Sequence, residues 1–202
     1  MERYSATLWQ TLYNPILDWD CMFKENKWNY LSSLNELPRY AQISGYIHKI
    51  VKSGTVLDAG CGEGILGDYL DLNRITYQGF DPSETAISRA RARIPGANFF
   101  VTGVDDYSPA DSEEFDAIVF NEVLPHISDP LGALDRFCSF LRPRGIVLIS
   151  LFQNPNERAN ASILTKMFDV EIQHGRYNVI GQNNVDNVSG LTWRIYCIGK
   201  KN

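Results

Sequence analysis

The 202-residue sequence predicts an α/β fold: seven strands in a mostly parallel sheet, helices on both faces, and an N-terminal helical cap. Three observations predict it. Val56-Leu57-Asp58-Ala59-Gly60-Cys61-Gly62-Glu63-Gly64 runs an apolar pair into an acid and then into glycines at alternate positions, the pattern of a strand ending in a tight turn. From Gly54 onward short apolar runs alternate with amphipathic stretches, and strands separated by helices connect into a parallel sheet covered on both faces. Phe115-Asp116-Ala117-Ile118-Val119-Phe120 is nearly continuous in apolar character, as a buried parallel strand requires.

The segment ahead of the sheet is aromatic-rich and reads as helices. Tyr4, Leu8, Leu12 and Tyr13 recur at helical intervals until Asn14-Pro15 interrupts them. Trp19, Phe23, Trp28, Tyr30 and Leu31 follow. Tyr40, Ile43, Ile47, His48, Ile50 and Val51 then form a longer amphipathic helix after Pro38. This segment holds three of the four tryptophans, suited to packing on the sheet or capping the mouth of a site.

Strand one is Thr55 to Asp58, and Ile65, Leu66, Tyr69 and Leu70 give a helical stripe after the glycine turn. Strand two is Thr76 to Phe80, ending at Asp81-Pro82. Ser83 caps a helix from Glu84 to Arg93, which stops at Pro95-Gly96. Strand three is Asn98 to Thr102, and strand four is the Phe115 to Phe120 run. The next helix spans Pro130 to Leu141, with Leu131, Leu134, Phe137, Cys138 and Leu141 on one face. Arg142-Pro143-Arg144-Gly145 turns into strand five, Ile146 to Leu151. A helical stretch near Asn160 to Phe168 precedes two closing strands, Val170 to Gln173 and Thr192 to Gly199. Residues 1–53 are the cap segment and 54–202 the core, together one domain of ordinary size.

The net charge of −5 argues against a large electrostatic footprint for nucleic acid. The tightest basic group, Arg89, Arg91 and Arg93, reads as a solvated helix face. The four cysteines stand far apart, without zinc spacing, and suit a reducing cytoplasm. No signal peptide and no membrane-spanning helix are expected. The expected partners are a small-molecule substrate and at most a second copy of the chain.

The glycine turn carries the chemistry. Absent side chains let a ligand lie on bare backbone at a strand's carboxyl end, and a helix beginning there offers free N–H groups. Gly62-Glu63-Gly64-Ile65-Leu66-Gly67 has the spacing of dinucleotide-binding folds, with Asp81 about 20 residues on. Gly60-Cys61-Gly62-Glu63-Gly64, with Asp58 two positions ahead, resembles motif I of the Rossmann-like S-adenosylmethionine-dependent methyltransferases. An acid beside the glycines suits a cation better than a phosphate. The resemblance extends through Gly79-Phe80-Asp81-Pro82-Ser83, the Phe115 to Ile127 run and Leu141-Arg142-Pro143-Arg144-Gly145-Ile146, in the family's order.

That resemblance implies a seven-stranded sheet with an antiparallel last strand and S-adenosylmethionine as the cofactor. It places Gly60, Gly62 and Gly64 under the cofactor, with Asp58 near the methionine half. Asp81 would hold the ribose and Pro82 would flank the adenine. Gly103-Val104-Asp105-Asp106 departs from the family's usual Gly-Asp; Asp105 is the expected adenine contact, with Asp106 open as a shifted register. Asn121 would lie beneath the transferred methyl.

Methyl transfer needs alignment and exclusion of water, and a hydroxyl acceptor also needs a base. His126 is the candidate base, being the one histidine near a predicted strand end, and Glu122 is a second. Tyr4, Tyr13 and Trp28 are candidates for the acceptor pocket. No acidic group at the end of strand five supports a metal, and Asn121-Glu122-Val123-Leu124 stands where nucleic-acid amide methyltransferases carry Asn-Pro-Pro-Tyr. Trp28-Asn29-Tyr30-Leu31 and Arg39-Tyr40 look like small bacterial methyltransferases of carbohydrate or natural-product pathways. The expectation is metal-independent O-methylation of a small hydroxylated acceptor. The alternatives are an N-methyltransferase and a non-catalytic binding subunit.

Overall fold

A computed structural model describes residues 9, 18–110, 113–153 and 160–200. Helix α1 (Trp19–Lys24) and helix α2 (Leu37–Tyr46) precede the sheet, and α2 runs on into one π-type turn, Ile47–Val51. The core then runs β1 (Gly54–Ala59), β2 (Ile75–Asp81), α3 (Glu84–Arg93), β3 (Asn98–Val101), β4 (Phe115–Asn121), α4 (Pro130–Ser139), β5 (Leu141–Phe152), α5 (Asn160–Gln173), β6 (Asn178–Asp186) and β7 (Thr192–Gly199). The sheet has seven strands in the order β3-β2-β1-β4-β5-β7-β6. β1 to β5 are mutually parallel, and β7 runs antiparallel to both β5 and β6.

This order puts the reversal of winding between β1 and β4, the place where open α/β sheets leave a crevice at their carboxyl ends. Both faces of the sheet are covered. Along β5, Val147, Ile149 and Leu151 join one core with α4 and α5 (Leu134, Phe137, Leu164, Phe168). Ile146 and Leu148 point the other way, into a core with Ile43 and Ile47 before the sheet and with Ile87 and Ala90 of α3.

The expected alternation holds where α-helices separate β2 from β3, β4 from β5 and β5 from β6, and the Ser83 hydroxyl accepts from the Ala86 N–H at the start of α3. Four local expectations are corrected. The stripe after the glycine turn is not an α-helix but a five-residue 3-10 turn, Ile65–Tyr69. Gly67 in its middle lies against Ile94 and Tyr77, and the Asp71 carbonyl takes the Arg74 and Ile75 N–H groups, so the chain turns back early. Leu141 belongs to β5, not to the helix before it. Leu141 pairs with Phe115 and Ile146 with Ala117, so Arg142 to Gly145 form a bulge, with Arg144 at φ 70°.

Strand three ends at Val101, one residue early. Val170 to Gln173 form no strand: they are the last turn of α5, which nothing interrupts until Gly175 at φ 69°. The sixth strand is Asn178–Asp186 instead, a mostly exposed sheet edge whose polar residues give little pattern. The helix expected around Tyr4 to Tyr13 falls outside the described residues except Trp9, which is buried and donates from Nε1 to the Ile127 carbonyl at 2.9 Å.

Candidate active site

At the carboxyl ends of β1, β2 and β4 lies a cavity of about 640 Å³, within the range usual for small-molecule sites. Its floor is the turn after β1. Gly60 and Gly62 take φ of 69° and 53°, which side-chain-bearing residues rarely adopt, and a Cβ on Gly60 would strike Val123. Gly62 donates its N–H to Asp81 Oδ2 at 3.0 Å, and Ser83 donates to Asp81 Oδ1 at 2.9 Å. The acid ending β2 therefore fixes the turn ending β1. Burial pushes the Asp81 carboxyl up to about 6 against these donors.

Asp58, at the end of β1, is 2% exposed. Its Oδ2 accepts from the Tyr77 hydroxyl at 2.6 Å, while Oδ1 is buried without a partner. Burial raises this carboxyl to about 7, the Tyr77 bond opposing. Such an oxygen calls for a cation or a donor from a ligand.

Opposite charge comes from α2. Arg39 is 1% exposed and lines the same cavity. It bridges Glu36 Oε2 at 2.7 Å through Nη2 and Asn121 Oδ1 at 2.8 Å through Nη1, while Nε has no partner. The rings of Tyr40 and Trp193 lie 4.8 and 5.7 Å from its guanidinium carbon. Burial raises the Glu36 carboxyl even with Arg39 attached.

A family model for a methyltransferase domain matches residues 30–185. This chain belongs to that methyltransferase family. Two curated relatives are ubiquinone biosynthesis O-methyltransferases. The protein from Thiobacillus denitrificans is 32% identical over 99 residues, 47% of this chain and 43% of its own. That from Neisseria meningitidis serogroup C is 27% identical over 144 residues, 68% of this chain and 58% of its own. The chain thus spans about half the length of these relatives. Among solved structures, the plantazolicin methyltransferase BpumL, crystallised with a pentazolic desmethylPZN analogue and SAH, superposes with a TM-score of 0.68 at 16% identity. The match covers 98% of this chain and 96% of that one. It establishes the shared fold.

The cavity gathers Asp58, Gly60, Gly62, Asp81, Pro82, Asp105 and Asn121 from the predicted cofactor set. Gly64 is not in the lining; it sits behind the turn, where a Cβ would meet Ala90 and Phe99. Asp105 lines the cavity and Asp106 does not. The Asp105 loop is held by Arg136, which donates to the carbonyls of Val104 and Tyr107. Asn121 Oδ1 is already engaged, accepting from Arg39, and lies 2.8 Å from Ser150 Oγ.

His126 reaches the cavity from a short 3-10 turn, Leu124–His126, and meets the Trp19 ring edge-on with centroids 5.0 Å apart. Burial lowers its pKa, which favours the neutral imidazole. Glu122, at φ 65°, accepts from Ser150 Oγ at 2.6 Å and the Phe152 N–H at 2.9 Å. Trp28 lines the cavity; Tyr4 and Tyr13 lie outside the described residues. The Cys61 thiol is buried beside Gly79 and raised well above its ordinary pKa by burial, which suits packing rather than nucleophilic attack. Arg89 and Arg93 are not simply solvated, since both bind Glu63 of the glycine turn.

Arg39 and Glu36 were missed as site residues. One signal was readable: Arg39 stands four residues before Ile43, on the apolar stripe of α2, where a charge is out of place without a partner. The docking of α1 was less legible. Asp20 of α1 accepts from Ser83 Oγ and the Thr85 N–H, both at 2.8 Å, so α1 docks on the start of α3 beside Asp81.

Proposed function

We propose that this protein is a metal-independent methyltransferase that draws on S-adenosylmethionine and methylates an oxygen of a small hydroxylated acceptor. One observation carries this reading. Asp58 Oδ1 and Arg39 Nε are buried, unpartnered and of opposite charge, on residues lining one cavity. An amino-acid end satisfies both, its ammonium on Asp58 and its carboxylate on Arg39. A pyrophosphate would satisfy the arginine and leave the acid orphaned.

The other residues fit the remainder of the cofactor. Gly60 and Gly62 offer bare backbone to the methionine half, above Asn121. Asp81 has lone pairs left for the ribose hydroxyls, Pro82 flanks the adenine and Asp105 accepts from its amino group. When bound, the cofactor supplies a methyl already activated on a sulfonium. The chain's task is to align the acceptor, keep water out and take one proton. Trp19, Phe23 and Trp28, from the cap residues 1–53, close the cavity over the core 54–202. A ring nitrogen of neutral His126 takes the acceptor's proton.

Oxygen is favoured over nitrogen because the lining acids Glu36 and Glu122 are already engaged, by Arg39 and by Ser150 and Phe152. The names of the curated O-methyltransferase relatives support the same choice. The four free thiols suit a reducing cytoplasm. Calorimetry tests the cofactor assignment: saturable binding of S-adenosylmethionine is expected. Folded protein that takes NAD and ignores S-adenosylmethionine would overturn it.

A further inference from the structure

Two neighbouring acids follow β3, and only one of them faces the cavity. β3 leaves the sheet beside the ribose acid, where the Thr102 N–H donates to the Asp81 carbonyl at 3.1 Å. The chain then closes a turn, with the Tyr107 N–H donating to the Gly103 carbonyl at 3.0 Å. Asp105 and Asp106 stand side by side on that turn, both exposed. Asp105 lines the cavity with Gly103 and Val104. Asp106 is not in the lining, and its Oδ2 lies back over Gly103, 3.8 Å from where a Cβ on that residue would stand. Two adjacent side chains of one chemistry give local forces little to choose between, so the choice falls to what holds the turn from behind.

Two contacts do so. The Tyr107 ring is buried and stacks on Phe80, with centroids 4.3 Å apart and an interplanar angle of 12°. Arg136 of α4 grips the turn itself. Its Nη1 donates to the Tyr107 carbonyl at 2.7 Å and its Nη2 to the Val104 carbonyl. Those two carbonyls bracket the two acids in the chain. A guanidinium is a rigid planar fork, so binding both at once fixes the spacing and tilt of the backbone between them. The fork is placed in turn by the Phe137 and Phe140 rings, 4.9 and 5.9 Å from its central carbon. Arg136 does not line the cavity, so its reach into the site runs through this turn.

We infer that Arg136 is a positioning residue for the cofactor's base. Its hold on Val104 and Tyr107 sets the register that presents Asp105, and not Asp106, to the exocyclic amino group of the adenine. The inference rests on the methyltransferase reading above.

The test is calorimetry on the full-length protein with two ligands, S-adenosylhomocysteine and S-inosylhomocysteine. The second carries a carbonyl oxygen in place of the adenine amino group, so a carboxylate that accepts from the first repels it. The wild type should prefer S-adenosylhomocysteine by about tenfold or more, the scale of one lost hydrogen bond to a charged group. D105N should lose that preference and D106N should keep it. R136M retains an unbranched stem without the fork, and R136K retains the charge without the fork. Both should bring the ratio of affinities to within about threefold of unity, because neither can span two carbonyls. A general loss of stability weakens both ligands alike and leaves the ratio where it was. A wild-type ratio in R136M or R136K, loss of preference in D106N matching that in D105N, or equal binding of both ligands by the wild type each overturns the inference. Should R136M fail to fold, R136K carries the test. A folded wild type that binds neither ligand is a separate result, and it sinks the methyltransferase reading itself.

Discussion

Gly62 N–H and Asp81 Oδ2 stand 3.0 Å apart, joining the turn after β1 to the last residue of β2. One carboxylate thus serves the shape of the floor and presents itself to the cavity. Replacing Asp81 by alanine should do two kinds of damage. A buried bond to a charged group is worth about 1.5–3 kcal/mol, so the melting temperature should fall. S-adenosylmethionine affinity should fall by more than tenfold, because the turn and the ribose lose the same anchor. Calorimetry and a thermal melt read the two separately, and unchanged affinity would refute the ribose assignment.

The Arg39–Glu36 pair predicts asymmetric mutants. Both side chains are nearly inaccessible, at 1% and 5%. Arg39→Met leaves a buried carboxylate alone, a loss of about 3–5 kcal/mol in urea denaturation. Glu36→Met with Arg39→Met removes both charges and should recover much of that stability while leaving cofactor binding weak. The single mutant should also suffer less in acid, where Glu36 takes a proton. Equal stability of single and double mutants would show that the pair is not a unit.

Asp58 predicts a pH effect of unusual sign. Its carboxyl ionises near 3.8 when free and near 7 in the fold, and Asp81 shifts in the same direction, to about 6. Between those values the folded chain keeps protons that the unfolded chain gives up. The stability these groups contribute is therefore complete below about pH 3.8 and is lost as pH rises through 6 and 7. A bound ammonium needs the charged form of Asp58, so cofactor binding at neutral pH should release a proton. Calorimetry in buffers of different ionisation heat measures that release. It should shrink in Asp58→Asn, and equal release there would remove Asp58 from the ammonium site.

His126 predicts a kinetic signature. Replacing it with glutamine should lower kcat by about 10²–10⁴ if it takes the acceptor's proton. S-adenosylhomocysteine affinity should hold. In the wild type, the acid limb of the pH–rate profile should lie below the ordinary imidazole range, since burial lowers this pKa. It should vanish in the mutant. A surviving limb would return His126 to a packing role against Trp19.

Legibility followed the range of the interactions involved. Ser83 as a cap and Thr192–Gly199 as a strand were readable because each rests on a few neighbouring residues. β6 was not, because an exposed edge strand has little apolar pattern, and the end of α5 was mistaken for it. The 3-10 turn at Ile65–Tyr69 depended on Gly67 meeting Ile94 and Tyr77, contacts made from other elements.

By itself the sequence determined the sheet's alternation and the acid-flanked glycine turn, since backbone freedom at Gly60 and Gly62 and apolar periodicity are local properties. Only the tertiary structure decided what faces that turn. Arg39 meets Asn121 across 82 positions of chain, and Asp20 reaches Ser83 across 63. Contacts at such range are fixed by how the cap packs on the sheet, and no spacing rule encodes them. The sequence therefore pointed to the glycine floor of the cavity, and packing supplied its charged wall and aromatic lining.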